Sequence, residues 1–173
     1  MRTAAALISL AILAATPAAA MTLQSPDIKP GAPIAPAQIY PRCGGANVSP
    51  ELTWNGAPKA ARSLAVTMID QDVAPNAWSH WIVLDLPPSL ERLPRGLGQL
   101  PAGARGVVSN FGSAGYAGPC PPAGSGAHHY VITVWALPTA HLDVAADANA
   151  RELQARLLKQ SIDHASLTGT VTR

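Results

Sequence analysis

The sequence predicts a mainly β fold with a single helix, formed as one domain. Three segments, residues 63–70, 80–86 and 129–136, are rich in β-branched and aromatic residues and are separated by turn residues, as buried strands are. Only residues 149–160 show helical periodicity. Of the 173 residues, 48% are hydrophobic and 13% are charged. That length suits one domain with its own core, and that composition excludes a disordered chain.

Three weaker strand candidates complete the predicted sheet structure. They are residues 52–54, 106–109 and 165–172. The last of them alternates Leu167, Gly169 and Val171 with threonines, which is the period of a half-buried strand. About six short strands separated by turns indicate a mainly antiparallel sheet.

The helix is predicted to pack one face on the sheet. Its apolar residues recur at helical spacing and are Ala150, Leu153, Leu157 and Leu158. Asn149, with Glu152 three places later, has the form of a capping box. We interpret its basic residues as a solvated outer face and not as a binding patch; they are Arg151, Arg156 and Lys159.

The first twenty residues have the three regions of a secretory leader. Arg2 precedes an uncharged apolar run, and Pro17 is followed by three alanines that end at Ala20. We expect cleavage after Ala20, which leaves a single domain from Met21 to Arg173. A retained anchor is the alternative, but the apolar run falls short of the roughly 20 residues that a transmembrane helix needs. The predicted location is therefore periplasmic or secreted, without an integral membrane segment in the mature chain.

Charge excludes one class of partner. Twelve Lys and Arg residues face ten Asp and Glu residues, for a formal net charge of +2. The basic residues form no stripe that could neutralise a run of phosphates, so nucleic acid is not an expected partner.

The only two cysteines, Cys43 and Cys120, gain significance from the predicted export. In an oxidising compartment they can form one disulfide, and the alternative is a pair of buried free thiols. The outcome depends on whether the fold brings the two Cα atoms within bridging range.

Polar residues flank the three central strands. They are Asp70 and Asp72 at and just beyond the end of the first strand, Trp78 and His80 at the start of the second, and His128, His129 and Tyr130 at the start of the third. If the three strands are neighbours, their ends converge on a small polar pocket in an apolar wall. Trp78 and His80 are two residues apart, so they lie on one face of an extended segment. The other tryptophans are interpreted as core residues; they are Trp54, Trp81 and Trp135.

The segment from residue 112 to residue 126 is predicted to form the rim of this pocket. Small or stiff residues dominate it, notably Gly115, Gly118, Pro119, Pro121, Pro122 and Gly124. Because proline has no amide proton, only Gly118 and Cys120 can donate from the backbone between residues 118 and 122. We expect the Cys120 N–H to face the pocket.

Five motifs occur in order along the chain. They are Asn47-Val-Ser-Pro-Glu-Leu-Thr-Trp54, Ser63-Leu-Ala-Val-Thr-Met-Ile-Asp70-Gln-Asp72, Trp78-Ser-His80-Trp, Gly115-Tyr-Ala-Gly-Pro-Cys-Pro-Pro122 and His128-His-Tyr130. Together with Leu167-Thr-Gly-Thr170 they resemble the phosphatidylethanolamine-binding protein family, in its bacterial Raf-kinase-inhibitor-like branch. The resemblance runs from Thr22 to the C-terminus.

This resemblance implies a β-sandwich with a large antiparallel sheet, a smaller sheet and one helix near the C-terminus. It also implies a small pocket for phosphate-like anions. The residues that it assigns to ligand binding are Asp70, Trp78, His80, Cys120 through its backbone, Pro122, His128 and Tyr130. No catalytic residue, cofactor or metal is predicted.

The sequence departs from the family pattern next to the pocket. Asp70-Gln-Asp72-Val-Ala-Pro75 stands where the family usually has Asp-Pro-Asp-Ala-Pro, so the loop is one residue longer. His129 stands where the family usually has arginine. This second change removes a cation that Asp72 could have paired with.

A carboxylate repels a bound phosphate, so Asp70 needs a role other than direct contact with a dianion. It can hold an imidazole N–H of His80 or His128 and favour the charged ring, or it can accept a hydrogen bond from a protonated phosphoryl oxygen or a ligand ammonium. If a charged histidine binds the anion, affinity should rise as the pH falls from about 7.5 to about 5.5.

The function predicted from the sequence is an exported protein that binds phosphate or another small anionic or phosphorylated ligand. Inhibition of a partner protein is a further role that the resemblance implies. Two alternatives stay open. One is a small hydrolase using the hydroxyl of Ser79 or Ser49, although no nucleophile motif surrounds either. The other is a metal site built from Asp70, Asp72, His80 and His128, whose ligand types would suit zinc.

Overall fold

The structure is a computed structural model that describes residues 20–144 and 149–173. The predicted leader lies outside this range, apart from Ala20. The helix and strands are β1 (Thr22–Gln24), β2 (Leu52–Asn55), β3 (Ser63–Asp70), β4 (Trp78–Leu86), β5 (Arg92–Leu93), β6 (Arg105–Gly106), β7 (Ala127–Leu137), α1 (Ala150–Gln160) and β8 (Asp163–Thr172). Across the described ranges, no helix has the length and apolar character needed to cross a membrane.

The strands form two antiparallel sheets. The smaller sheet has the order β1-β2-β5 and the larger has the order β6-β4-β3-β7-β8. The predicted mainly β sandwich with a large and a small sheet is confirmed. The three segments predicted as central strands are β3, β4 and β7, and they are direct neighbours in the larger sheet.

The larger sheet is covered on both faces. One face packs on the smaller sheet through a core that includes Trp54, Val66, Met68, Val83 and Ile132. The other face packs on α1 through residues that include Ala65, Leu84, Trp135, Leu153 and Leu157. Every residue of β3 is buried, because β3 has strands on both sides and packed layers above and below. This double coverage explains why β3 is an almost unbroken apolar run.

The helix begins as its sequence predicts. Asn149 is the N-cap residue, its side chain accepts from the Glu152 amide at 3.0 Å, and the Glu152 carboxylate accepts from the Asn149 amide at 3.3 Å. Leu153 and Leu157 are buried, whereas Leu158 is 58% exposed. Leu158 lies about 100° around the helix from Leu157, so the face that contacts the sheet is narrower than predicted.

Cys43 and Cys120 form a disulfide, with Cα atoms 5.5 Å apart. Cys43 ends the short 3-10 turn Pro41–Cys43, and Cys120 lies in the loop before β7. Of the two alternatives left open by the sequence, the structure has the disulfide. The bond ties the loop before β7 to a segment 77 residues earlier in the chain.

Candidate functional site

The antiparallel pairing of the three central strands brings polar residues together at one end of the larger sheet. Asp70, the last residue of β3, pairs with Trp78 at the start of β4 and with Tyr130 near the start of β7. His80 lies two residues after Trp78, and His128 lies two residues before Tyr130. Both histidines therefore lie at the same end of the sheet as Asp70.

A cavity of about 280 Å³ opens at this point. The residues that line it are Asp70, Val73, Trp78, His80, Phe111, Cys120, Pro121, Pro122, His128 and Tyr130. All seven residues assigned to ligand binding from the sequence lie in this wall, and their role in binding stays a prediction. Trp78 is 38% exposed and stands at the rim. This volume lies just below the usual range of drug-sized pockets.

Asp70 and His128 form a buried pair in the cavity wall. The His128 Nδ1 lies 2.7 Å from Asp70 Oδ2, and Asp70 Oδ1 accepts a hydrogen bond from the Asp72 amide at 3.0 Å. Since a carboxylate oxygen can only accept, His128 donates from Nδ1. Asp70 therefore fixes the orientation of the His128 ring, which is one of the two roles that the sequence allows it.

His80 is held differently. Its Nδ1 lies 2.8 Å from the carbonyl oxygen of Ala117, and the Ala117 amide donates to the His80 carbonyl at 3.1 Å. Burial lowers the pKa of His80 below its ordinary value, against the opposing effects of the Ala117 carbonyl and Asp70. The structure thus favours a neutral His80, not the charged ring that one reading of the sequence predicts.

Tyr130 carries an unsatisfied hydroxyl. The residue is fully buried, and its Oη is without a hydrogen-bond partner in the part of the chain that the structure describes. Burial raises the pKa of this phenol most, and the Asp70 carboxylate raises it further through its negative charge and as a nearby acceptor beyond hydrogen-bond distance. It therefore keeps its proton and remains a hydrogen-bond donor. Buried hydroxyls in folded proteins nearly always have a partner, so this exception needs an explanation.

Phe111 is one of two wall residues that the sequence did not predict. It is the only phenylalanine in the chain, and its ring lies 4.9 Å from the His80 ring and 6.2 Å from the Trp78 ring, measured between centroids. Its position in a loop without periodicity gave no signal. Val73, in the loop after β3, was missed for the same reason.

Asp72 and His129 lie outside the cavity and pair with each other. The Asp72 carboxylate accepts from the His129 amide at 2.6 Å and lies 2.9 Å from His129 Nδ1. Burial alone would raise the pKa of Asp72, but these hydrogen bonds outweigh it and hold the pKa below its ordinary value. Asp72 therefore has a partner in His129, although the arginine that is usual in the family is missing.

One predicted donor is not available to a ligand. The Gly118 amide donates to Asn47 Oδ1 at 2.7 Å, and Asn47 Nδ2 donates to the Tyr116 carbonyl at 3.3 Å. The Asn47 side chain thus holds the segment before Cys120 in place. Of the two amides considered from the sequence, only that of Cys120 stays a candidate donor.

The alternatives of a hydrolase and a metal site find no support in this geometry. The Ser79 hydroxyl is 2.8 Å from Asn110 Oδ1 and accepts from the Asn110 amide, while the Ser49 hydroxyl accepts from the Leu97 amide. Both hydroxyls therefore have structural partners. Among residues 20–144 and 149–173, no group of three or more His, Cys, Asp or Glu side chains is placed to hold a metal ion.

The burial of His80 in its neutral form predicts that the free energy of unfolding depends on pH. Its pKa in the folded protein is below the value of about 6.5 that it has in the unfolded chain, so below pH 6.5 the unfolded chain binds more protons. The contribution of the neutral His80 ring to the stability of the folded state is complete above pH 6.5 and is lost as the pH falls. We expect His80 to lower the free energy of unfolding by up to about 1.4 kcal/mol per pH unit between about pH 6.5 and pH 5.

Urea denaturation across this pH range measures the effect. His80→Asn keeps an amide nitrogen near the position of Nδ1 and should flatten the dependence. His164→Asn, at an exposed site, should leave it unchanged. An identical slope in His80→Asn and the unmodified chain would contradict the prediction.

The fold and the wall of this cavity define a class of β-sandwich binding protein, and comparison with known proteins gives the family. The family model described as phosphatidylethanolamine-binding protein matches residues 24–172. The chain belongs to this family.

Individual relatives support the membership of this chain in the family. The UPF0098 protein YbcL of Escherichia coli is 36% identical over 159 residues, which cover 87% of each chain. LppC of Mycobacterium tuberculosis, whose name proposes a lipoprotein, is 40% identical over 91% of this chain and 76% of its own length. The crystal structure of YbcL, described as a member of the mammalian PEBP family, superposes with a TM-score of 0.81 and covers 90% of this chain and 99% of that one.

Proposed function

We propose that this chain is an exported protein that binds phosphate or another small oxyanion in the cavity between Asp70 and Cys120. The cavity accommodates a phosphoryl head group with few additional atoms. The family resemblance adds the modulation of a partner protein, and the exposed Trp78 at the cavity rim is the surface that a partner carrying a phosphoryl group would contact.

The observation that carries this proposal is the unsatisfied Tyr130 hydroxyl. A buried donor without a partner costs about 1–3 kcal/mol, which a ligand oxygen would recover by accepting its hydrogen bond. Tyr130 lies in the same wall as His80, His128 and Cys120, which are the groups that we propose for contact with one small ligand.

The charge of a lysine or arginine takes no part in the proposed binding. The described wall of the cavity contains no lysine or arginine, and Asp70 is its one carboxylate. An oxyanion would be held by the Tyr130 phenol and the Cys120 amide beside the His80 and His128 rings, not by a basic surface. The modest charge of the whole chain agrees with this.

We expect Tyr130→Phe to weaken binding of inorganic phosphate about tenfold, measured by isothermal titration calorimetry. The same variant should not lower the free energy of unfolding of the ligand-free protein, because it removes a hydroxyl that has no protein partner.

Tyr116→Phe is the matched control. Its hydroxyl donates to the Gln38 carbonyl at 2.9 Å and lies outside the cavity wall. This variant should lower stability by about 1 kcal/mol and leave phosphate affinity unchanged. Equal phosphate affinity in Tyr130→Phe and the unmodified chain would refute the proposed role of Tyr130, and no phosphate binding by the unmodified chain would refute the function.

Three observations support the proposal that the protein is exported. The Cys43–Cys120 disulfide suits an oxidising compartment. The Met21 nitrogen lies 3.0 Å from the Asp163 carboxylate, so cleavage after Ala20 would turn this contact into a charge-assisted hydrogen bond. The lipoprotein name of the relative LppC is in keeping with a location in the cell envelope.

A further inference from the structure

β8 is the one long edge strand among the described residues. It has ten residues, Asp163–Thr172, and pairs with β7 in a continuous register without a bulge. The other edge strands, β1, β5 and β6, have three, two and two residues. Proteins usually protect a sheet edge from other chains by short edge strands, prolines, lysines or bulges. β8 has none of these protections.

One half of the β8 edge is covered by the protein's own chain. The Gly31 amide donates to the Thr168 carbonyl at 2.8 Å, and the Ile34 amide donates to the Thr170 carbonyl at 2.9 Å. Residues 31–34 therefore lie beside β8 as an added extended segment. This edge already binds one segment by hydrogen bonds between main-chain groups.

The other half of the β8 edge is open. The backbone groups of successive strand residues point to alternate sides, and those of Thr168 and Thr170 bond outward. Ser166 and His164 have the same parity and are exposed. The His164 amide donates to the Asp163 carboxylate at 2.8 Å. Four outward groups have no backbone partner among residues 20–144 and 149–173, namely the His164 carbonyl, the Ser166 amide and carbonyl, and the Thr168 amide.

A cleft of about 280 Å³ lies on the sheet directly beside this open stretch. It separates β7 and β8 from α1, and its wall includes Val131, Trp135, His164, Arg151, Ala155 and Leu158. The His164 and Trp135 rings stack with their centroids 5.1 Å apart, and Leu158 is 58% exposed. These groups suit an aliphatic side chain. Arg151 carries the one permanent charge in the described wall, which contains no carboxylate.

We propose that β8, from Asp163 to Leu167, is the docking edge for an extended peptide segment of a partner protein. The segment adds to the larger sheet as a further strand, and its main chain bonds the four outward groups. One aliphatic side chain enters the cleft beside Leu158. An acidic residue two places away lies on the same face of the segment, which is the face towards Arg151. The oxyanion cavity lies at the other end of β7, so this inference does not depend on it.

A second copy of the chain fits this edge less well than a short segment does. Two β8 strands paired antiparallel about Ser166 would place His164 of one copy opposite Thr168 of the other. The Gly31 amide already occupies that position, because it donates to the Thr168 carbonyl. A segment that ends before Gly31 avoids the overlap.

The probe for this edge is the peptide Glu-Val-Leu-Val-Glu with blocked ends, in which leucine and both glutamates share one face. Amide chemical shifts of the isotope-labelled, unmodified chain measure both the affinity and the position of binding. We expect a Kd below about 1 mM, with the largest shifts at the amides of Ser166 and Thr168. Lys-Val-Leu-Val-Lys should bind at least about threefold more weakly, because its charge opposes that of Arg151.

Ser166→Pro tests the edge itself. It removes the outward amide proton, whose loss breaks no bond between β7 and β8, and proline is tolerated at such edge positions. It also removes the Ser166 hydroxyl, which lies 2.8 Å from Thr133 Oγ1. Ser166→Ala removes the same hydroxyl and keeps the amide, so it is the matched control. We expect Ser166→Pro to weaken binding of Glu-Val-Leu-Val-Glu at least about tenfold and Ser166→Ala to change it by less than about twofold.

Leu158→Glu tests the cleft without altering the edge. The side chain is exposed, and a carboxylate there would meet the leucine and the glutamates of the peptide, so binding should weaken about tenfold. Gln160→Glu adds the same charge at an exposed position outside the cleft wall and should change the affinity by less than about twofold.

Three results would overturn the inference. One is a Kd above about 1 mM for Glu-Val-Leu-Val-Glu and the unmodified chain. Another is equal affinity of Ser166→Pro and Ser166→Ala for this peptide. The third is a dimer of the unmodified chain in sedimentation that Ser166→Pro dissociates, because the edge would then bind a second copy. Should Ser166→Pro not fold, equal affinity of Leu158→Glu and Gln160→Glu would overturn the inference in its place.

Discussion

Replacement of both Cys43 and Cys120 by serine is expected to lower the free energy of unfolding by about 4 kcal/mol. The disulfide closes a loop between residues that are 77 positions apart, and cross-links of that span restrict the unfolded chain by about this amount in the chain-entropy model. This is a large fraction of the stability of an ordinary domain. Urea denaturation of the double variant and of the oxidised parent measures the difference.

The reduced parent protein is the control for the serine substitutions. Since Cys43 and Cys120 are the only cysteines, reduction breaks the same single bond without changing any side chain volume in the core. Both measurements should give the same loss. A loss below about 1 kcal/mol in each would show that the disulfide does not determine stability, and the unfolded chain would then have to be compact without it.

The disulfide also bears on the cavity, because Cys120 lies in its wall. The loop before β7 has no regular secondary structure between β6 and β7, and bonds from distant residues hold it. These are the disulfide, the Asn47 side chain on the Gly118 amide and the Tyr40 amide on the Pro119 carbonyl. Such long-range restraints position a loop that its own sequence does not order.

The parts of the fold that the sequence predicts correctly are those whose pattern is local. The strands β3, β4 and β7 are long and rich in β-branched residues, and α1 has both a periodic face and a capping box, so each element is specified by its own residues. The strands β1 and β5, with three and two residues, were missed. They exist because β2 offers hydrogen-bonding edges on both sides, which no local pattern records.

The candidate site likewise contains residues that the local sequence predicts and residues that it does not. Residues at strand ends were predictable because neighbouring antiparallel strands must bring their ends together, as Asp70 and Tyr130 show. Phe111 and the engaged Gly118 amide were not, because each depends on contacts with residues far away in sequence. The hydrogen-bond partners of His80 and His128 are further details of this kind, since they are known only once the chain is folded.

Two glycines of the predicted rim, Gly118 and Gly115, are expected to differ strongly in how much an alanine substitution lowers the free energy of unfolding. Gly118→Ala is expected to lower the free energy of unfolding by about 3 kcal/mol, because overpacking against a rigid neighbour is costly. A Cβ atom at this position would collide with the Gln38 carbonyl oxygen and would lie 2.8 Å from the Tyr40 nitrogen. Both of these are backbone atoms, which cannot turn aside as a flexible side chain can.

Gly115→Ala is the matched control within the same loop. A Cβ atom there meets nothing within 4 Å, and Gly115 has no positive φ, so the change should alter stability by no more than about 0.5 kcal/mol. The two variants should also differ in phosphate affinity. Displacement of Gly118 would move its neighbour Ala117, whose carbonyl sets the His80 tautomer, whereas Gly115 lies outside the cavity wall. Equal stability of the two variants would mean that the segment from Gln38 to Tyr40 yields to the added methyl group, and that the glycine at position 118 is not required by close packing.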